Sequence, residues 1–289
     1  MMKTPKERMK ISQRARLFVQ LIFAALVNGY LVGFVKGKIF TGKSKMICLP
    51  VLNCYSCPAA LGACPIGALQ AVEGGAGRTI AFYVLGSIML FGVVLGRLIC
   101  GFLCPFGLIQ DLLHKIPLKK IKVPTGADRV LRKVKYLMLI FLVLLLPMFL
   151  NNKFGMASPY FCKWICPAGI LEGAFPLLLK DESIRNGIGL LFNWKLLILI
   201  ATVVFSVLIY RPFCKYICPL GAFYGLFNRL SFYRMEVDGL KCTGCKACEK
   251  ICPMQVKVTE NINSAECIRC GRCKAICPES AITSGFKFK

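Results

Sequence analysis

Read as a pattern of apolar and polar positions, the chain alternates long apolar runs with short loops crowded with cysteine, proline and glycine. The runs fall at roughly 17–35, 79–99, 136–150 and 194–210, almost without charge and without the two-residue alternation of a half-buried strand. Each predicts a helix buried all round, and a bilayer needs about 20 apolar residues per crossing. The third run is short and holds Pro147. From about residue 235 the long runs stop. This divides the chain into a basic leader at 1–16, an apolar part at 17–234 and a polar tail at 235–289.

Composition agrees with lipid as the solvent: 56% of the 289 residues are hydrophobic and the mean hydropathy is +0.63. The expected fold is an α-helical membrane protein of four transmembrane helices. The leader reads as the flank of an uncleaved anchor, because no small-residue cleavage site follows the first run. The net charge of +25 raises the question of nucleic acid, but no basic-aromatic motif accompanies it, and no nucleic-acid partner is expected. The charge reads as topology instead. Six Lys/Arg in 1–16 and eight in 105–135 face five in 36–78 and four in 151–187, which puts both termini on the cytoplasmic side of the cytoplasmic membrane, with lipid as a partner.

Cysteine spacing carries the chemistry. Residues 242–253 ("CTGCKACEKICP") and 267–278 ("CIRCGRCKAICP") each read C-x2-C-x2-C-x3-C-P, every cysteine of the second 25 residues after its counterpart. In such runs three close thiolates hold one cubane and the remote fourth closes its neighbour. One 4Fe-4S cluster is therefore expected on Cys242, Cys245, Cys248 and Cys277, and a second on Cys267, Cys270, Cys273 and Cys252. Structural zinc normally spaces its cysteine pairs by a dozen residues or more. The tail resembles the bacterial two-cluster ferredoxin module, a small α+β electron relay.

The apolar part repeats Cys-Pro-x-Gly at Cys64, Cys104, Cys166 and Cys218. Three copies follow another cysteine by four residues: Cys100, Cys162 and Cys214. Arg97, Cys100, Cys104 and Gly107 recur 114 residues later as Arg211, Cys214, Cys218 and Gly221, so the apolar part reads as two tandem repeats. Under four spans, Cys100, Cys104, Cys214 and Cys218 share the inner side. Cys57, Cys64, Cys162 and Cys166 share the outer side, with Cys54 or Cys48 as alternative ligands or as disulfide partners. Each set supplies the four thiolates of one cluster, giving four clusters in all. The competing reading is of interfacial turns with buried thiols. Arg97 and Arg211 read as compensation for cluster charge, while Lys195 reads more simply as a snorkelling side chain.

These loops, followed by a two-cluster tail, resemble the NapH-like polyferredoxin family, with NosR-type and CcoG-type relatives, over nearly all of the chain after residue 15. The resemblance implies membrane electron transfer to a partner across the membrane. The stretch 48–64 departs from a simple Cys-x3-Cys-Pro copy.

Other chemistries are disfavoured. With His114 as the single histidine, a bis-histidine haem cannot form in one chain, and no C-x-x-C-H or dinucleotide loop is present. His114 reads as an interfacial residue, with a quinone proton relay as the alternative. The expected function is relay of electrons from a cytoplasmic ferredoxin or flavodoxin-like donor to an extracytoplasmic acceptor, for which a flavoprotein is one candidate by analogy. Lys241, Lys246, Lys250, Arg272 and Lys274 would dock the donor. The alternatives are a quinol dehydrogenase subunit and an iron-sulfur redox sensor or metal-handling protein.

Overall fold

The computed structural model describes residues 4–75, 81–150, 156–179, 182 and 188–287. The structure is mostly helical, with one two-stranded sheet among the described residues. The first helix, Pro5–Val27, is set by its start: Thr4 and Glu7 form a reciprocal capping box and Pro5 occupies the first turn. It stops at Asn28, short of the run's end at 35. The chain turns there and resumes as the five-residue helix Val32–Lys36, closed by the left-handed Gly37. The first apolar run is thus a broken helix.

The second run forms Phe82–Leu95, ended by Gly96 at φ +53°, and its first two residues lie outside the described ones. The third begins earlier than expected, at Thr125, and continues through a π-helical stretch, Met138–Leu145, to Phe149. Pro147 has no N–H to give the preceding turn, and a widened ladder beside it accommodates the loss. The fourth is the 19-residue helix Leu190–Leu208. Among the described residues it alone is long and apolar enough to cross a membrane, while Phe82–Leu95 and Gly169–Leu178 are shorter apolar helices.

The internal repeat is visible in the backbone. Leu98–Phe102 and Pro105–Leu113 are followed 114 residues on by Pro212–Tyr216 and Pro219–Phe227, both pairs matching end to end. Each Cys-Pro at 64, 104 and 218 starts a nine-residue helix with proline at its first position, where no N–H is needed.

In the tail, β1 (Tyr233–Val237) pairs antiparallel with β2 (Ile282–Phe286) in the register Val237↔Ile282, over a small core of Met235, Val258, Ile262 and Ile282. Left-handed residues repeat with the same 25-residue period as the cysteines: Gly244 and Arg269, Lys246 and Gly271, Gln255 and Ser280. Four of these six carry a side chain there, a cost of order 1 kcal/mol each that the surrounding loop must offset.

The tail does not hang free. Met254, Val256 and Ile268 belong to the same core as Ile99, Phe106 and Tyr224. At the seam Glu266 is buried between Arg97 (3.1 Å) and Lys135 (2.5 Å), and Asn228 donates to the carbonyls of Ser264 (2.6 Å) and Cys267 (2.9 Å). A Cβ on Gly101 would stand 2.2 Å from the Ile268 carbonyl oxygen, so only glycine lets the two backbones meet.

Candidate metal centres

All eighteen cysteines are free thiols, and they gather in sets around hollows. Cys242, Cys245, Cys248 and Cys277 line one hollow in the tail, and Cys252, Cys267, Cys270 and Cys273 line another. A cavity of about 260 Å³ is lined by Cys54, Cys64, Cys162 and Cys166. Cys100, Cys104, Cys214 and Cys218 are buried together, close enough to act on one another electrostatically. Among the described residues no three His, Cys, Asp or Glu side chains converge on a point that would hold a single ion. Four thiols to a set is the number a polynuclear group with one thiolate at each corner requires.

Of the candidates the sequence left open for the outer set, Cys54 lines the cavity and Cys57 does not. Cys57 Sγ lies 3.8 Å from Asn28 Oδ1, and Cys57 packs with Ala59, Ala60, Phe34 and Cys54 rather than lining the cavity. The backbone N–H of Cys54 donates to Glu172 at 2.6 Å, which pins the loop to the other repeat. Cys48 is buried outside the cavity, in a bridge with Ala63, and forms no disulfide.

Three buried or half-buried cations follow one rule. Arg97 donates to the Cys214 carbonyl at 3.1 Å, Arg211 donates to the Cys100 carbonyl, and Lys195 donates to the Cys162 carbonyl at 3.2 Å. Each therefore holds the first cysteine of a Cys-x3-Cys pair, and the two arginines reach across the repeat boundary. The motif glycines make room for them: a Cβ on Gly107 would meet Arg211 Nη1 at 3.0 Å, on Gly221 Arg97 Nη2 at 3.3 Å, and on Gly169 Lys195 Nζ at 3.0 Å. Lys195, read from sequence as a snorkelling side chain, lines the outer cavity. Arg211 adopts φ +48° and is fixed by Asp111, whose Oδ1 accepts from its Nε at 2.7 Å.

A further set escaped the sequence reading. The sixth residue after each Cys-Pro cysteine is polar: Gln70, Gln110, Glu172 and Tyr224. Gln70 donates to Cys162 Sγ at 3.4 Å and Gln110 to Cys214 Sγ at 2.9 Å, both across the repeat boundary. Tyr224 donates to the Pro50 carbonyl at 3.1 Å, within electrostatic reach of thiols from both sets. A polar residue at a fixed offset inside otherwise apolar helices was the available signal.

The comparisons with known proteins fall on these same segments. The 4Fe-4S binding domain family matches residues 78–124, 136–180 and 194–234, one Cys-x3-Cys-Pro loop in each, and the 4Fe-4S dicluster domain family matches 234–278. Uncharacterized protein MJ0750 of Methanocaldococcus jannaschii is 33% identical over 75% of this chain and 83% of its own length. Methylamine utilization ferredoxin-type protein MauN of Paracoccus denitrificans is 28% identical over 62% of this chain, and ferredoxin-type protein NapH of Haemophilus influenzae is 28% identical over 57%.

The chain belongs to the NapH-like 4Fe-4S polyferredoxin family.

This polyferredoxin spans 57% of MauN and 51% of NapH. No solved structure matches it. Its cofactors are 4Fe-4S clusters, and the thiol sets above are the groups available to hold them. In the tail of the polyferredoxin Cys245 is exposed, and a backbone hydrogen bond from Ala247 draws its thiol below the ordinary range, which favours the thiolate that metal needs. Against burial, which raises it, Arg97 and Lys135 hold the Glu266 carboxyl below its usual range. Of the basic residues expected to dock a donor, Lys241 and Lys246 rim the exposed hollow, whereas Arg272 turns inward, donating to Gln13 at 3.2 Å. His114 holds Ser206 O at 3.3 Å through Nδ1, and burial, with Lys120 nearby, pushes its pKa below the ordinary value.

Proposed function

We propose that this polyferredoxin is a transmembrane electron relay with four clusters, the outermost held by Cys54, Cys64, Cys162 and Cys166. The observation that carries the reading is the unbroken contact from one thiol set to the next. The tail sets share one small module. Ile268, between two cysteines of the second tail set, seats against Gly101 beside Cys100 of the inner set. Cys104 Sγ of that set lies 3.9 Å from the Leu52 carbonyl, and Leu52 lines the outer cavity. When loaded, the clusters supply a series of one-electron carriers.

The residues of the chain do the rest. Arg97, Arg211 and Lys195 fix the cysteine loops and balance thiolate charge where water is excluded. Gln70 and Gln110 give N–H groups to ligand sulfurs, which favours the reduced form. The stretch from Cys48 to Cys64 is largely irregular yet deeply buried, with Val51 and Ala59 fully enclosed, so it satisfies the rule that non-helical backbone enters a membrane only inside protein. It shortens the gap that a hydrocarbon core of about 30 Å would otherwise impose.

Four membrane crossings with cytoplasmic termini are supported by outward-facing apolar side chains on all four runs. Phe18, Phe82, Phe149 and Leu197 are 65%, 74%, 71% and 59% exposed. On Leu190–Leu208 the buried positions are Leu199, Thr202 and Ser206 while Leu197, Ile200, Val204 and Phe205 face out, the reverse of a soluble helix. An acidic ferredoxin or flavodoxin-like donor suits the basic rim of the exposed tail hollow. An extracytoplasmic redox protein suits the mouth of the outer cavity, where Tyr55 is exposed. Anaerobic purification with iron and sulfide counts tests the cluster number: about sixteen irons per chain support four cubanes, and about eight would leave clusters in the tail alone.

A further inference from the structure

A cavity of about 360 Å³ opens where the first helix meets the end of Pro105–Leu113 and the tail helix Arg272–Ile276. Its wall is basic: Lys10, Arg14, Arg16, Lys115 and Arg272 line it, with His114 beside them. The one carboxylate in the wall, Asp111, is already held by Arg16 and Arg211. Lys10, Arg14 and Lys115 have no ion-pair partner among the described residues.

Arg16 apart, which pairs with Asp111, the wall groups that are fixed are fixed by neutral partners. Arg272 is held by Gln13 Oε1 at 3.2 Å and lies over the Tyr210 ring at 5.3 Å, and Gln13 is anchored in turn to the Cys270 carbonyl at 3.1 Å. His114 packs edge-on against the same tyrosine at 5.3 Å, its Nδ1 engaged with Ser206 and its Nε2 uncommitted. Positioning without neutralisation keeps the charge available, and each uncompensated guanidinium or ammonium is a donor suited to phosphate oxygens. The apolar Leu17 closes one side, next to exposed Phe18 and Leu21, so an acyl chain has a surface to follow out of the cavity.

We infer that this cavity binds a phosphate group, carried either by the headgroup of an acidic phospholipid or by a soluble phosphate. The lipid source rests on the membrane reading above; phosphate binding itself does not. Because Arg272 stands between Cys270 and Cys273, an anion bound there adds negative charge beside the second tail set and lowers the potential of the cluster it holds.

The test uses the full chain, purified with its clusters and stripped of lipid. Native mass spectrometry compares phosphatidylglycerol with phosphatidylcholine, and equilibrium titration in detergent measures inorganic phosphate. The double variant Arg14→Gln, Lys115→Gln removes two unpaired cations and leaves every proposed ligand in place. Preferential binding of phosphatidylglycerol, weakened about tenfold or more in the variant, supports the site and names lipid as its source. Saturable phosphate binding with the same loss supports the site with a soluble source, even if the chain does not cross a membrane. Equal binding of the two lipids together with no phosphate binding, or binding that the variant leaves unchanged, overturns the inference. So does binding of a short-chain quinone with neither phosphate ligand bound, which would make the cavity a quinone site. Redox titration followed by EPR gives an independent readout: the signal of the tail cluster moves to lower potential with ligand in the parent and stays put in the variant.

Discussion

Replacing Glu266 by Gln should loosen the tail from the apolar part while leaving the tail itself folded. The carboxylate is 9% exposed and is shared by Arg97 Nη1 at 3.1 Å and Lys135 Nζ at 2.5 Å, both side chains fully buried. Removing one member of a buried pair typically costs 3–5 kcal/mol, because the abandoned charge has no water to return to. Here two cations are abandoned, offset in part because Arg97 keeps its bonds to Ala265 O (2.6 Å) and Cys214 O (3.1 Å). A loss of about 3 kcal/mol is therefore expected, which is roughly a 150-fold rise in the population with the seam open. Hydrogen exchange over residues 264–270 of the loaded protein would record that rise, and the double variant Glu266→Gln, Lys135→Met should recover much of it. Iron content should stay at the parent value, since no ligand is touched. Exchange within about threefold of the parent would refute the claim that this charge cluster holds the seam.

Cys54→Ser should remove about four irons per chain and Cys57→Ser none, the count being read after anaerobic purification; the reverse pattern would restore the sequence assignment. Gln110→Leu should lower the inner cluster's midpoint by about 30–60 mV in an EPR-monitored titration. That figure takes about 1 kcal/mol of a charge-assisted hydrogen bond as differing between oxidation states, at 59 mV per tenfold. Gly101→Val should open the same seam as Glu266→Gln, since its side chain would collide with the Ile268 carbonyl. Reduction by an acidic ferredoxin should slow several-fold between low salt and about 0.3 M, by screening of the basic rim, and a salt-independent rate would remove that docking face.

The tail was legible because most of its thiols are local: cysteines three residues apart reach one hollow through short turns, and the 25-residue period places the remote fourth and even the left-handed positions. The tandem repeat was legible for the same reason. Choices made across the fold were not. Whether Cys54 or Cys57 faces the cavity depends on Glu172 and Asn28, 118 and 29 residues away in the chain, and spacing carries no trace of either. The break in the first run was marked by Asn28-Gly29, a turn signal outweighed by the apolar residues around it. Arg272 looked like a surface charge because spacing does not say which face of a short helix meets the first helix.

The most direct test of a transmembrane relay is electron transfer across a sealed vesicle. The loaded protein would be reconstituted with its tail outward, an impermeant electron acceptor trapped inside, and reduced ferredoxin supplied outside. The account predicts reduction of the trapped acceptor, lost in Cys54→Ser and kept in Cys57→Ser. Full reduction of every cluster with the acceptor left oxidised would contradict it.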